Sequence, residues 1–296
     1  MSGWRIGDLE LSHPVLNGSG TFDAIAARRV FGDALLENFP FSAFVSKTIT
    51  PEPRAGNPPP RLFETPSGMI NSIGLPNKGL DGFLNHDLPE LAELPVPLVV
   101  SVMATDRAGF KRLVDGIAER DEVAAIELNV SCPNVESGLI VGEQPAETLA
   151  LLDALRARTE KPLIVKLTPN TADQEAVAVA AQEGGADAVS LINTLRATAL
   201  APGSAEVWLG AGSGGLSGPA IRPVALEQVR RVAAAVAVPV IGMGGIETSE
   251  DARDFLRLGA HLVAVGTANF RDSQAALRVR KGLDEGVREG SALHLN

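Results

Sequence analysis

Residues 183–193 read EGGADAVSLIN, and residues 257–266 read RLGAHLVAVG. Each stretch passes from the end of a helical pattern, through glycine and a small residue, into a short run of apolar residues. This is the pattern of a connection between a helix and a following strand. Because the same unit occurs twice, we expect alternating helices and strands, and such alternation favours a parallel sheet.

Apolar runs of strand length occur eight times along the chain. They span 14–19, 43–47, 97–103, 124–130, 162–167, 187–193, 238–243 and 261–266. Segments with the three- and four-residue apolar spacing of helices lie at 108–119, 145–158, 172–184, 221–235 and 249–258. The pattern predicts an α/β fold, a (β/α)8 TIM barrel forming one domain over residues 1–296. An open, doubly wound sheet is the competing topology.

Two long excursions interrupt the regular alternation. Residues 48–79 and 197–220 are rich in proline and glycine and too long for ordinary loops between a strand and a helix. Each follows the end of a predicted strand. We therefore expect both at the C-terminal mouth of the barrel, which is where barrel enzymes carry their active sites.

Composition excludes several classes of protein. The net charge of −10 and the pI near 5.0 argue against nucleic acid or an anionic membrane as the main ligand. The single cysteine excludes an internal disulfide and an iron–sulfur cluster held by this chain's own thiolates. No metal is needed to stabilise a chain of this length, and the sequence has no signal-like or membrane-spanning apolar stretch. We expect a cytoplasmic protein.

A phosphate site is predicted after the last two strands. Gly244 and Gly245 follow one strand and lead into a helix, and Gly266 and Thr267 follow the next strand. Glycines allow backbone N–H groups to approach an anion, and a helix N-terminus adds a favourable dipole. The alternative is that these glycines only turn the chain.

Polar residues lie at the C-terminal ends of four predicted strands: Lys47, Asn129, Lys166 and Asn193. Buried amide and ammonium groups need partners, so four such groups at one mouth favour a polar ligand over simple packing. Glu127 faces the same way as Asn129, and we expect its carboxylate to pair with Lys166 on the adjacent strand.

Cys132 lies in the stretch ELNVSCPN, residues 127–134. The strand must end at Pro133, so the thiol is expected in a loop above the mouth, although a buried packing role is the usual fate of a lone cysteine. These residues predict a phosphate-bearing ligand and a reactive thiol without naming a reaction. None of the four histidines is assigned a role.

The chain resembles the class 1 dihydroorotate dehydrogenases, flavin enzymes of pyrimidine synthesis, over essentially its whole length. The resemblance is carried by SKTIT, EPRAGNPPPR, SGMINSIGLPNKG, ELNVSCPN, VKLTPN, INTL, GGLSGPAIRP, IGMGGI and VGTANF, which occur in the order of the family.

This resemblance implies that FMN is the cofactor of a single FMN-binding barrel domain. The residues expected to line FMN are Ser19, Lys47, Thr48, Ser101, Asn129, Lys166, Ile192, Gly218, Gly244, Gly245, Gly266 and Thr267. Those expected to hold the dihydropyrimidine substrate are Lys47, Asn71, Ser72, Ile73, Gly74, Leu75, Asn129, Asn134, Asn193 and Thr194. No metal site is implied.

The resemblance also implies a catalytic role for Cys132. Its thiolate would remove a proton from C5 of dihydroorotate while hydride leaves C6 for N5 of the flavin, which gives orotate. A thiol, with an ordinary pKa of about 8.5, can be tuned to serve as such a base. Lys166 would stabilise the anionic reduced ring.

The subclass follows from smaller features. The membrane-bound class has serine as the base and an N-terminal membrane segment, and this chain has neither. INTL, KLTPN and VGTANF resemble the NAD-linked class 1B, whose catalytic subunit pairs with a subunit carrying FAD and an iron–sulfur cluster in a heterotetramer. MINSIG is similar to a motif of the fumarate-linked homodimers, so both assemblies stay open. Two departures bear on substrate choice: Ser101 stands where the family commonly has asparagine, and residues 195–198 replace a run containing glycine.

Three rival functions remain. A barrel similar to dihydropyrimidine dehydrogenase would act on uracil or thymine with the same flavin and cysteine. A subunit that binds flavin only to relay electrons would leave Cys132 with a packing role. An isomerase of sugar phosphates would use the same phosphate loops without needing the thiol.

Overall fold

The computed structural model of the chain describes residues 3–131 and 141–288, with side chains to residue 285. The strands are β1 (Trp4–Ile6), β2 (Leu9–Leu11), β3 (Val15–Asn17), β4 (Phe44–Val45), β5 (Leu62–Thr65), β6 (Gly68–Asn71), β7 (Leu98–Val102), β8 (Val123–Asn129), β9 (Leu163–Lys166), β10 (Ala188–Leu191), β11 (Leu195–Ala197), β12 (Gly214–Ser217), β13 (Val240–Met243) and β14 (Leu262–Val265).

The helices are α1 (Ala24–Phe31), α2 (Ala34–Glu37), α3 (Gly79–Gly82), α4 (Leu88–Leu91), α5 (Arg107–Ala118), α6 (Pro145–Arg156), α7 (Gln174–Glu183), α8 (Arg222–Ala235), α9 (Ser249–Arg257), α10 (Ala268–Arg271) and α11 (Ala275–Arg288). A π-helical turn (Phe83–Asp87) joins α3 to α4, and 3-10 turns lie at Val141–Glu143 and Pro219–Ile221. No helix within 3–131 and 141–288 combines the length and the apolar character needed to span a bilayer.

Eight parallel strands form the central sheet in the order β3, β14, β13, β10, β9, β8, β7 and β4. Each of the eight predicted strands overlaps one of them, and only β8 begins a residue earlier than predicted. The two end strands meet: Ser42 N donates to Val15 O over 2.9 Å, and the Asn17 amide bonds to both the N–H and the C=O of Val45. The predicted (β/α)8 barrel is therefore confirmed, and the open doubly wound sheet is excluded.

Alternation along the strands divides the core into two layers. Residues such as Val100, Ile126 and Val165 face outward and pack against the surrounding helices. Their neighbours, such as Val99 and Ala125, face inward and fill the barrel. Because successive strand residues face opposite ways, the side chains two positions beyond these inward residues also face inward. They lie closer to the C-terminal mouth, because the strands run toward it.

The N-terminal hairpin of β1 and β2 closes the other end of the barrel. Ile6 and Leu11 are buried and join the inward cluster. The Trp4 ring lies 5.6 Å from that of His261, which precedes β14. The hairpin therefore covers the amino ends of the strands and leaves the opposite end open to carry a site.

The two excursions are not the irregular loops that the sequence suggested. Their strands β5, β6 and β12 join β11 in an antiparallel sheet in the order β11, β12, β6 and β5, with Leu195 opposite Leu216, Leu216 opposite Ile70, and Ile70 opposite Phe63. The sequence placed both excursions at the C-terminal mouth, and in the structure they are joined, because β6 from the first pairs with β12 from the second. Their strands were missed because each is short and because β6 and β12, which join the two excursions, lie far apart in the chain.

The five predicted helices correspond to α5 through α9. Their starts follow side-chain caps in several cases; Thr248 and Asp251 form the expected reciprocal capping box at the start of α9. This box fixes the turn that follows Gly244 and Gly245, so it also sets the geometry of the predicted phosphate loop.

Candidate active site

The C-terminal mouth of the barrel collects buried polar residues. Asn129 and Lys166 end β8 and β9 in adjacent registered positions, and they are 8% and 6% exposed. Ser190 is paired in register with Lys166 on the next strand and is fully buried. An apolar barrel would fill these positions with aliphatic side chains, so the burial of polar groups here indicates a site for a polar ligand.

Lys166 crosses the mouth to the loop that follows β3. Its Nζ donates to Ser19 Oγ over 2.9 Å. Two residues expected at the flavin are therefore in contact, although they lie 147 positions apart in the chain. The predicted ion pair between Glu127 and Lys166 is wrong, because no such pair forms among the described residues.

Glu127 has a different partner for a geometric reason. It is opposite Ser101 in the register of β7 and β8, and its carboxylate accepts a hydrogen bond from Ser101 Oγ over 2.8 Å. Ser101 Oγ also lies 2.9 Å from Thr48 Oγ1. Thr48, Ser101 and Glu127 thus form one continuous chain of hydrogen bonds inside the barrel.

Asn193 connects the end of β10 to the region of the predicted base. Its Nδ2 donates to Ser131 Oγ over 2.9 Å, and its Oδ1 accepts from Thr194 N. Ser131 directly precedes Cys132, but Cys132 and Asn134 lie outside the described residues. The structure therefore brings a predicted substrate residue into contact with Ser131, the last described residue before Cys132.

Asn170 is a residue of this region that the sequence reasoning did not single out. It donates to Thr194 O and accepts from Arg196 N, so it fixes the backbone on both sides of residue 195. The motif VKLTPN could have indicated this role of Asn170, because a polar residue there follows a proline directly after a strand.

The predicted substrate segment, residues 71–75, has a tightly constrained backbone. Gly74 and Leu75 both adopt positive φ angles, of 75° and 52°. The Asn71 amide donates to Gly215 O, and Ser72 Oγ donates to Ser213 O while accepting from Asn57. These bonds tie the segment to β12 and place it over the mouth beside Asn193 and Thr194, since a Cβ on Gly215 would lie 1.9 Å from Thr194 Oγ1.

The glycines of the predicted phosphate site come together. Gly218, Gly244 and Gly245 all have positive φ angles. A Cβ on Gly245 would lie 2.8 Å from Gly218 O, and a Cβ on Gly244 would lie 3.3 Å from Ile192 Cγ1. Thr267 is nearby, with its Cγ2 3.6 Å from a Cβ on Gly218. The positive φ angles and this close packing leave no room for side chains at these positions, and glycine loops of this kind can present backbone N–H groups to a phosphate.

One ion pair adjoins these glycines. Arg222, at the start of α8, pairs with Asp251 of the capping box. Asp251 also accepts from the backbone N–H groups of Glu247 and Thr248. A carboxylate beside a phosphate would be repulsive, and the guanidinium neutralises it.

The residues present fit a flavin phosphate cofactor. Gly218, Gly244 and Gly245, the glycine cluster, allow a phosphate to approach the backbone closely. The Lys166 ammonium offers a buried positive charge. The Ser190 hydroxyl, beside Lys166, is buried without a hydrogen-bond partner in the described part of the chain. No group of three or more potential metal ligands occurs among the described residues.

Comparisons with known proteins give one consistent result. The family model "Dihydroorotate dehydrogenase" matches residues 4–287. The catalytic subunit of dihydroorotate dehydrogenase B (NAD(+)) from Desulforudis audaxviator is 43% identical over 295 residues, which is 98% of this chain and 94% of that protein. The subunit of the same name from Pelobacter propionicus is 43% identical over 287 residues, or 96% and 93% of the two chains.

Among solved structures, the dihydroorotate dehydrogenase of Eimeria tenella in complex with ferulenol is similar in fold. It has a TM-score of 0.77 at 23% identity and covers 97% of this chain and 84% of its own. The family match spans nearly all of the described barrel and includes the glycine cluster and the polar mouth. On these grounds the chain belongs to the dihydroorotate dehydrogenase family.

Proposed function

We propose that this chain oxidises dihydroorotate to orotate in pyrimidine biosynthesis, with FMN as its cofactor and Cys132 as its base. Dihydroorotate dehydrogenases bind FMN, and when bound this group accepts the hydride from the substrate. The observation that supports the proposal most directly is that the glycine cluster, Lys166 and the segment 71–75 all open on one mouth. A cofactor and a ring substrate can therefore meet there.

The cofactor would be held at both ends. The backbone of Gly244, Gly245, Gly266 and Thr267 would bind the phosphate, and Gly218 and Ile192 would line the path from it. Lys166 would stabilise negative charge on the ring, because an ammonium group in a dry site acts more strongly than one in water. Ser19 keeps that ammonium at the mouth through its hydrogen bond.

The substrate would lie between the segment 71–75 and the ends of β8 and β10. The backbone N–H groups around Gly74 and Leu75, together with Lys47, would bind the carboxylate. Asn129, Asn193 and Thr194 would pair with the ring amides. Cys132 would take the C5 proton, and this role is supported by the hydrogen bond from Asn193 to the Ser131 side chain, which ties the neighbour of Cys132 to a predicted substrate residue.

We place the chain in the NAD-linked subclass, with a partner subunit that carries FAD and an iron–sulfur cluster. The relatives above are named as catalytic subunits, and the match covers more than 90% of their length. A single cysteine cannot ligate such a cluster, so the cluster of this assembly would belong to the partner chain. The cytoplasmic location belongs to the same proposal.

The test is anaerobic reduction of the purified, flavin-loaded chain. Dihydroorotate should bleach the flavin absorbance, whereas dihydrouracil should leave it unchanged. Bleaching by dihydrouracil alone would favour the dihydropyrimidine dehydrogenase-like alternative. A protein that binds no flavin would contradict the proposal.

The role of the thiol is tested by two variants. Cys132→Ala should retain FMN and lose bleaching at neutral pH, because no base remains for the C5 proton. Cys132→Ser should regain part of the rate at high pH, where a weaker acid can ionise. An unchanged rate in Cys132→Ala would return this residue to a packing role.

A further inference from the structure

Three buried polar residues form a chain of hydrogen bonds that the proposed reaction does not use. Thr48, Ser101 and Glu127 are 2%, 0% and 3% exposed. Thr48 follows β4, Ser101 lies in β7 and Glu127 lies in β8, so the chain of bonds spans three neighbouring strands. Ser101 Oγ is 2.8 Å from Glu127 Oε1 and 2.9 Å from Thr48 Oγ1.

The donors in this chain can be assigned from chemistry. A carboxylate only accepts hydrogen bonds, so the bond between Ser101 and Glu127 uses the single hydroxyl proton of Ser101. Ser101 can then only accept from Thr48, although the distance alone leaves that direction open. The hydroxyl proton of Thr48 is therefore committed to the barrel interior.

This assignment fixes what Thr48 offers to the mouth. Its Oγ1 retains lone pairs but has no proton to give, so toward a ligand it acts only as an acceptor. The negative charge of Glu127 polarises both hydroxyls in the same direction, and such chains strengthen each bond in a dry environment. A ligand group beside Thr48 must therefore carry a donor.

We propose that Glu127 is a positioning residue which, acting through Ser101, makes Thr48 a hydrogen-bond acceptor for the N3–H group of the flavin ring. The oxidised isoalloxazine ring carries one N–H donor, at N3, so an obligatory acceptor beside the ring selects that atom. The inference rests on the proposed function, because it requires FMN at this mouth. It goes further by assigning a recognition role to a carboxylate that touches neither cofactor nor substrate.

The single hydroxyl proton of Ser101 fixes the direction of this chain of hydrogen bonds. An asparagine in its place would carry both donors and an acceptor, so it could satisfy Glu127 without fixing the direction of the Thr48 hydroxyl. Serine has one proton, and Glu127 takes it. Serine at position 101, where the family commonly has asparagine, therefore makes Thr48 an acceptor toward the flavin ring.

The experiment measures binding of two cofactors to the deflavinated full-length chain. In 3-deaza-FMN a carbon replaces N3, so the ring keeps the size of the flavin ring but lacks the N3–H donor. The wild-type chain should bind FMN about tenfold more tightly than 3-deaza-FMN, which is the usual effect of one buried hydrogen bond. Flavin fluorescence gives both dissociation constants without any turnover.

Four variants separate recognition from structure. Thr48→Val keeps the shape of threonine and should lose the preference for FMN, whereas Thr48→Ser should keep it. Glu127→Gln should reduce the preference, because the uncharged amide polarises the hydroxyls less. Ser101→Ala should lose it, because the connection to Glu127 is broken. Thermal unfolding of each variant checks that the barrel is intact.

The outcomes distinguish this inference from the function on which it rests. Equal binding of FMN and 3-deaza-FMN by the wild-type chain would overturn the inference and leave the function standing. A wild-type preference that Glu127→Gln leaves unchanged would overturn the role of Glu127. Failure of the wild-type chain to bind either flavin would overturn both the function and the inference.

Discussion

His13 is a buried imidazole outside the active site, and it should make the fold sensitive to acid. It is 6% exposed, and its Nδ1 accepts a hydrogen bond from Val15 N over 3.3 Å. Burial, with a smaller contribution from the charge of Arg280, lowers the pKa of His13 from 6.5 to about 4. The folded protein therefore keeps this ring neutral at pH values where the unfolded chain protonates it.

The free energy of unfolding should consequently fall as the pH is lowered from 6.5 through 4, by up to about 3 kcal/mol. Above pH 6.5 both states are neutral at this residue, so it causes no dependence there. Urea unfolding between pH 7.5 and 4 measures the slope. His13→Asn keeps an acceptor for Val15 N and should flatten the dependence of the unfolding free energy on pH. Substitution of the exposed His86 by asparagine should leave that dependence unchanged.

Asn77 controls the shape of the proposed substrate segment. Its Oδ1 accepts from Gly79 N over 2.8 Å and from Thr50 N over 3.2 Å, and its Nδ2 donates to Leu75 O over 2.8 Å. Leu75 has a positive φ angle, which is unfavourable for a branched side chain and must be maintained by its surroundings. The Asn77 amide supplies much of that support.

Asn77→Ala should raise the KM for dihydroorotate about tenfold or more, because the backbone N–H groups of the segment lose their fixed positions. FMN affinity should stay near the wild-type value, since the segment is not part of the phosphate site. Steady-state kinetics with flavin titration separates the two. Asn85→Ala, at an exposed position, is the control, and an unchanged KM in Asn77→Ala would contradict the role.

At the scale of elements, Asn17 replaces missing sheet hydrogen bonds at the seam of the barrel. β4 is two residues long, and β3 and β4 are joined by the Ser42 bond and by the Asn17 side chain. The Asn17 amide donates to Val45 O over 2.7 Å and accepts from Val45 N over 2.8 Å. One side chain thus imitates the pairing that a longer strand would provide.

Asn17→Ala should destabilise the fold by about 3 kcal/mol, because it leaves both the N–H and the C=O of Val45 buried without partners. Hydrogen exchange at Val45 should accelerate more than exchange at the β8–β9 ladder. Asn17→Asp can accept from Val45 N but cannot donate to Val45 O, so it should recover only part of the loss. Equal exchange at both places in Asn17→Ala would mean that the seam does not depend on this amide.

The sequence was sufficient to predict the barrel because its strands and helices carry local signals. Each buried strand is a short apolar run, and the helices α5 to α9 carry regular apolar spacing, so their positions follow without knowledge of distant contacts. Motifs of the family likewise predict a cofactor site at the glycines 244–245 and 218, and that assignment stays a prediction. These features depend on residues close to one another in the chain.

What the sequence did not predict depends on pairing between distant elements. The antiparallel sheet joins Ile70 to Leu216, and neither strand has enough alternation to be recognised alone. The predicted partner of Glu127 was wrong because the register of β7 and β8 places Ser101 opposite it. The register between two strands cannot be read from the sequence of one strand. The seam bond of Asn17 was missed for the same reason.

At the scale of the whole molecule, the two ends of the barrel differ. We expect the C-terminal mouth to carry the function and the closed amino end to contribute to stability. The C-terminal mouth holds the buried polar residues Asn129, Lys166 and Ser190, whereas the amino end is closed by the hairpin of β1 and β2. Ile6 is fully buried within the inward cluster, and the Trp4 ring packs near His261. Such a division is expected of a barrel whose chemistry lies at one end.

Ile6→Ala should therefore lower the free energy of unfolding by about 2 to 5 kcal/mol, because it leaves a cavity in a closed apolar layer. The FMN dissociation constant and the KM for dihydroorotate should stay within about twofold of wild type, since the mouth is at the opposite end of the strands. Arg5→Ala, on the exposed side of the same strand, controls for general effects on the hairpin. If Ile6→Ala weakened FMN binding as strongly as it weakened the fold, the two ends of the barrel would be coupled, and the interior residues between them would have to carry that coupling.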